Sequence, residues 1–215
     1  MCLRQNSDVK PDRTAAAYEI VAATYEAKFV GELDDKPRDR ELLDNIASRG
    51  AGAVLDVGCG PGQIGAYLAH HGRTVFGVDL SETMTRLASS RLSGAVVADM
   101  RALPFRTGSV SDIVAFYSVI HLPMAELGAA FREFTRVLQP GGQALVSAHE
   151  GKGAIEITEF LNHKVDLAAT FFSLDDLVST AVDAGLEIVI ADSRPPYDKE
   201  GPTVRLYVEA VKPKT

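Results

Sequence analysis

Residues Val54 to Gly62 read VLDVGCGPG: a run of apolar residues interrupted by one acid, followed by three glycines at alternate positions, Gly58, Gly60 and Gly62. A short Val- and Leu-rich run is a buried strand, and glycines directly after it mark a turn in which backbone must come close to something a side chain would block. Outward from this stretch the chain alternates. Thr74–Val78 (TVFGV), Gly94–Ala98 (GAVVA), Val110–Tyr117 (VSDIVAFY) and Gln143–Ala148 (QALVSA) read as further strands. Helical periodicity separates them over Gly62–His71, Glu82–Arg91 and Met124–Val137. Continuous apolar strands between amphipathic helices predict a doubly wound α/β core whose parallel sheet is covered on both faces.

Upstream, Thr14–Val30 and Arg38–Arg49 carry helical spacing and predict a helical cap over residues 1–50. Downstream, Ile155–His163 reads as weakly helical, Leu174–Ala184 as a helix, and Leu186–Ala191 and Val204–Val211 as the last two strands. The connection RPPYDKEGP is too short for a crossover helix, which makes those two strands antiparallel neighbours. The helix at Leu174 and the final strand are readable either as a dimer contact or as plain core, so a monomer and a homodimer both stay open.

The chain of 215 residues fits one domain. Its 22 basic and 29 acidic residues give a net charge of -7, which disfavours a nucleic-acid partner. With two cysteines, Cys2 and Cys59, it offers neither a disulfide framework nor a Cys-rich metal site. The start, MCLRQNSDVKPDR, lacks the apolar stretch of a secretory signal, and no run is long enough for a membrane span. The expectation is a cytoplasmic protein without a membrane or metal partner.

A dinucleotide fingerprint places its third glycine one residue beyond the position that simple alternation supplies, and Gln63 occupies that slot. The alternation instead resembles motif I of class I S-adenosylmethionine-dependent methyltransferases. That resemblance implies a Rossmann-like, mostly parallel seven-stranded sheet with an antiparallel last strand, and S-adenosylmethionine as cofactor, with S-adenosylhomocysteine as product. It also assigns roles. Asp56 orients loop amides and water near an ammonium group, and Gly58, Gly60 and Gly62 cradle the cofactor. Asp79, in FGVDL, accepts from the ribose hydroxyls; Leu80 and Met84 accompany it. Asp99 and Met100, in VADM, flank the adenine, while Tyr117 and Ser118 stand over the methyl-transfer site.

The match runs in order through Leu138–Gly142 (LQPGG) and covers Ala53–Ser147. Such families often pair tyrosines in the leading helix. Tyr18 and Tyr25 share a helical face, readable as a cofactor lid or as core. HKVDLAATFFSLDDL, RPPY and RLY resemble the tail of a subgroup of small bacterial methyltransferases, with residues 149–172 as an acceptor-side insertion. Members carry an aromatic-rich acceptor segment there, whereas Ile155–Asn162 contains only Phe160, so acceptor identity does not carry over.

The implied reaction is methyl transfer to an oxygen or nitrogen of a small, specialised-metabolite acceptor. Candidate general bases are His121 and His149, then Glu150 and His163, with Tyr117 beside them. His70 and His71 read as solvent-exposed caps at a helix end. Arg194 and Tyr197 either border the acceptor or, for Arg194, pair with a surface acid. Two other functions share these features: a nicotinamide-dependent oxidoreductase and a non-catalytic S-adenosylmethionine-binding module.

Overall fold

A computed structural model describes residues 11–214. The polar leader with Cys2 lies outside the described residues. Helix α1 (Pro11–Phe29) and α2 (Pro37–Ser48) precede β1 (Ala53–Val57), α3 (Gln63–His70), β2 (Thr74–Asp79), α4 (Glu82–Ala88), β3 (Gly94–Val97), β4 (Val110–Phe116), α5 (Met124–Val137) and β5 (Leu138–His149). Then come β6 (Ala154–Phe160), β7 (His163–Thr170), α6 (Leu174–Asp183), β8 (Glu187–Arg194) and β9 (Arg205–Val211).

The main sheet has seven strands in the order β3-β2-β1-β4-β5-β9-β8. The first five are mutually parallel, and β9 runs antiparallel to both its neighbours. This is the mostly parallel sheet with an antiparallel last strand that the alternation and the short RPPY connection predict. The final strand lies inside the sheet, between β5 and β8, so it is core rather than a free edge.

Local chemistry explains the boundaries. β1 is buried from Val54 on because both faces are covered: Leu42, Leu43, Ile46, Ile64 and Leu68 pack on one side, Phe131, Phe134 and Leu177 on the other. Pro37 opens α2, where its missing N–H costs nothing. Ser81 caps α4 by accepting from the Met84 amide, and Ser173 caps α6 in a reciprocal capping box with Asp176. At the opposite end of the sheet from the glycine loop, buried Asp112 binds Arg73 at 2.6 Å and Arg49 at 2.9 Å.

Two expectations are corrected. Ile155–His163 is not helical: it forms β6 and the turn into β7, a separate two-stranded sheet. Leu161 and Asn162 have φ of 53° and 64°, the paired left-handed geometry of a tight hairpin turn. Ile155, Ile157 and Thr158 supply the β-branched content that favours strand. Strand β5 also begins earlier than the sequence suggests, directly at the end of α5, with Leu138 already paired to Val110.

Chain order leaves β1 outward to β2 and β3, then returns to β4 and β5. Between β1 and β4 the direction reverses, and in such sheets the crevice beyond the strand ends at that point is where ligands bind.

Candidate active site

A cavity opens at that reversal. Its floor is Val57, Gly58 and Gly60 from the loop after β1, with Phe116, Tyr117 and Ser118 from the loop after β4. Asp79 and Leu80 at the tip of β2, and Asp99, Met100 and Arg101 after β3, form one wall. Thr14, Tyr18 and Tyr25 of α1 close it from above, with His121 beside them.

The three glycines do different work. Gly58 has φ of 69°, and a Cβ there would stand 2.2 Å from that of Ser118, so the two loops touch because Gly58 lacks a side chain. Gly62 (φ 87°) lets α3 begin against α4, where an added Cβ would stand 3.0 Å from Ala88 Cα. Gly60 faces space: a Cβ would meet Tyr25 Cε1 and Gln63 Oε1 only at 3.8 and 3.9 Å.

Asp79 accepts from the Gly60 and Ser81 amides, each at 2.9 Å. Burial pushes its carboxyl above the ordinary range, although these amides pull it back. Burial also pushes Asp56 up to about 7, against the pull of the Gly65 amide. That amide donates to Asp56 at 2.9 Å, so the carboxylate organises the start of α3 and is not among the residues lining the cavity. Met84 is likewise interior packing rather than cavity wall. Asp99 is gripped by the Arg101 guanidinium, at 2.9 and 3.0 Å from Nε; burial opposes the effect, but the pairing holds the acid below its ordinary range. Arg101 also pairs with Glu126.

The expected bases separate. His121 lines the cavity with both ring nitrogens engaged, Nε2 with the Tyr18 hydroxyl at 2.8 Å and Nδ1 with the Ala168 carbonyl at 3.0 Å. Burial lowers its pKa, a shift the Ala168 carbonyl partly offsets. His149 is not in the cavity. It stacks on the outer face of the Tyr117 ring at 5.1 Å, and its Nδ1 meets Thr203 Oγ1 at 3.0 Å. Burial and the nearby Arg205 bring its pKa down to about 4. Glu150 is exposed, and His163 Nε2 bonds Thr24 at 3.0 Å; neither lines the cavity.

Tyr117 reaches the cavity, but its hydroxyl points into a buried polar cluster, 3.3 Å from that of Tyr207 and 3.4 Å from Asp39 Oδ2. Its φ of 52° is sustained by its amide bonding Ser147 at 3.1 Å. In the same cluster Arg194 donates to Tyr207 at 2.9 Å, to Asp39 at 3.2 Å and to Glu200 at 2.6 and 2.9 Å. Arg194 is therefore not among the residues that line the cavity, and the acids it pairs with have covered side chains rather than surface ones. Tyr197 lies with its ring 3.8 Å from the Arg194 guanidinium carbon, outside the cavity.

Helix α1 is fastened across the opening. Glu19 accepts from Ser81 Oγ at 2.7 Å and the Thr83 amide at 3.0 Å, Glu26 pairs with Arg91 at 2.6 Å, and Arg13 binds Glu156 on the hairpin at 2.6 Å. Sequence reading missed Thr14, Arg101 and Asp39, which carry no motif, and Gln63, which it used only to reject a dinucleotide. Among the described residues no group of three His, Cys, Asp or Glu side chains is placed to hold a metal ion.

Residues 54–142 match the sequence profile of the methyltransferase-domain family. An uncharacterized methyltransferase of Oceanobacillus iheyensis is 29% identical over 130 residues, 60% of this chain and 59% of that one. A malonyl-[acyl-carrier protein] O-methyltransferase of Pseudescherichia vulneris is 33% identical over 130 residues, 60% of this chain and 50% of the relative. The chain spans about three fifths of the length of the first curated relatives it matches (59%, 62% and 62%). Among solved structures, an S-adenosylmethionine-dependent methyltransferase of Methanosarcina mazei superposes with a TM-score of 0.71 at 19% identity, covering 80% of this chain and 98% of its own. Residues 54–142 thus carry a methyltransferase-domain profile, and the fold is the one seen in S-adenosylmethionine-dependent methyltransferases.

The cofactor this class implies fits residues of the cavity. Gly60 leaves an open cradle, and Gln63 Oε1 is a buried acceptor with no partner among the described residues, near enough to Gly60 to receive a donor such as an ammonium group. When bound, S-adenosylmethionine supplies a methyl group activated on a sulfonium.

Proposed function

We propose that this chain is a methyltransferase whose single domain, residues 1–215, transfers the S-adenosylmethionine methyl to an oxygen or nitrogen of a neutral small molecule. In this reading residues 1–50 cap the site and residues 149–172 border the acceptor. Gly58, Gly60 and Gln63 hold the amino-acid tail, Asp79 takes the ribose, and Leu80, Asp99 and Met100 flank the adenine. Ser118 braces the floor, with its hydroxyl on the Val57 carbonyl at 2.7 Å. The protein's own contribution is chiefly to hold donor and acceptor at attack distance with water excluded.

The observation that carries the proposal is the charge inventory of the cavity. Its charged lining residues among those described are Asp79, Asp99 and Arg101, and Arg101 is already committed to Asp99 and Glu126. The remaining negative charge matches a cationic cofactor and leaves no spare cation to recognise an anionic acceptor. The O-methyltransferase among the relatives supports oxygen as one target atom. A reducing cytoplasm suits the buried free thiol of Cys59.

Incubation with methyl-labelled cofactor and panels of uncharged phenols, alcohols and amines is expected to label one of these classes and to leave carboxylic acids, tRNA and acyl carrier protein unlabelled. Labelling confined to the anionic or macromolecular panels would overturn the proposal. Binding also has a proton signature. A cationic ligand entering the cavity beside Asp79 favours its ionised form, so the carboxyl that burial raises falls back and protons are released at mildly acidic pH. Calorimetric heats in buffers of different ionisation enthalpy should give a positive release; zero release or uptake would contradict this assignment.

A further inference from the structure

Both ring nitrogens of His121 are spoken for, and this determines which atom an acceptor can meet. A carbonyl only accepts, so Nδ1 carries the proton toward Ala168, and the neutral ring presents a lone pair at Nε2. Tyr18 must therefore donate to Nε2 across their 2.8 Å contact. An acceptor cannot reach the imidazole without displacing the phenol, whereas the Tyr18 oxygen keeps a lone pair for a donor. The pair is anchored from two sides: the neighbouring Glu19 ties α1 to the start of α4, and Ala168 belongs to β7 of the hairpin. The rings meet edge to face, with centroids 5.3 Å apart and planes at 76°.

Resting on the methyltransferase reading above, we infer that Tyr18 is the catalytic base, that His121 acts through it as the terminus of a two-member proton relay, and that the acceptor atom is a hydroxyl oxygen. The acceptor oxygen forms its bond to the methyl carbon as the carbon–sulfur bond breaks, the electron pair staying on sulfur. The hydroxyl proton passes to the Tyr18 oxygen while the Tyr18 proton passes to His121 Nε2. Positive charge disappears at sulfur and reappears on the imidazolium, so the cavity's net charge is unchanged in a place where creating charge is costly. Burial raises the Tyr18 phenol above its ordinary range, so it rests protonated and can take a proton only by giving one. Burial lowers His121, so the acquired proton returns to solvent after turnover. A neutral amine needs no base until after transfer, and the relay would have no work to do there.

The test has three readouts on the full chain. Calorimetry with S-adenosylhomocysteine checks the underlying reading: if the wild type does not bind it, the methyltransferase proposal fails independently of the relay. In the S-adenosylhomocysteine complex, imidazole ¹⁵N spectra should show His121 protonated at Nδ1 and bare at Nε2, with the Nε2 resonance displaced in Tyr18→Phe. With para-substituted phenols and matched benzylamines as probes, methylation is expected of phenols. Tyr18→Phe and His121→Asn should each lower kcat about 10²-fold or more with S-adenosylhomocysteine affinity kept, and the double variant should be little worse than either single one. A proton on Nε2, amine methylation alone, methylation of neither probe class by a protein that binds S-adenosylhomocysteine, or independent additive losses would each overturn the relay. The tautomer measurement on the wild type needs no variant to fold.

Discussion

Gly60→Val is expected to weaken cofactor binding about 100-fold in a protein that still folds, whereas Gly58→Val, two residues away, is expected to lose the fold. At Gly60 the new side chain enters the cradle, where the nearest atoms stand 3.8 and 3.9 Å from Cβ, so it takes volume from the cofactor rather than from the core. The φ of 53° disfavours a branched residue by about 1–3 kcal/mol, which a domain of this size tolerates. Overpacking of a bound ligand by up to about 3 kcal/mol corresponds to an affinity loss of about 100-fold. At Gly58 the same change drives Cβ into that of Ser118, at 2.2 Å, and breaks the hold of Ser118 on the Val57 carbonyl. A cost of about 4 kcal/mol or more follows. Denaturant unfolding and S-adenosylhomocysteine titration of both variants separate the effects; normal affinity in Gly60→Val would remove the loop from the cofactor site.

Asp39→Ala is expected to cost about 3–5 kcal/mol, the largest stability loss of any single side-chain truncation near the site. Asp39 is fully buried at the start of α2 and receives the Tyr207 and Tyr117 hydroxyls and Arg194. Removing it leaves a buried guanidinium with only Glu200 for balance, and at least one of the two phenols without an acceptor, since only one can donate to the other. Asp39→Asn keeps one carbonyl oxygen and should lose less. Urea denaturation of the two variants checks the order, and a loss below about 1 kcal/mol in Asp39→Ala would mean the cluster is already solvated.

What the sequence disclosed and what it hid follow the range of the interactions. The glycine loop, the acid at the tip of β2 and the Asp-Met pair after β3 were legible because each joins a strand end to its own next turn, and local backbone rules suffice there. The cluster around Asp39 was not, because its members stand up to 168 positions apart and meet only when α2 packs against β8 and β9. Nothing local in RPPY says that its arginine turns inward; the sheet order that inserts β9 beside β5 decides it. Tyr18 and His121 were each visible as candidates, but their contact across 103 residues depends on α1 lying over the switch point. The misread hairpin had a signal in its β-branched residues and in Asn162, outweighed by three glutamate- and leucine-type helix formers in a short window. His149 was placed on the correct strand end, yet the outward turn of its ring behind Tyr117 is a packing outcome.

Isothermal titration calorimetry of the intact protein with S-adenosylhomocysteine and with NADH tests the central claim most directly. Gly60, Gln63 and Asp79 predict that S-adenosylhomocysteine binds with about micromolar or tighter affinity, while NADH gives no heat. Binding of NADH without S-adenosylhomocysteine would contradict the account, because the same glycine loop would then be serving a dinucleotide.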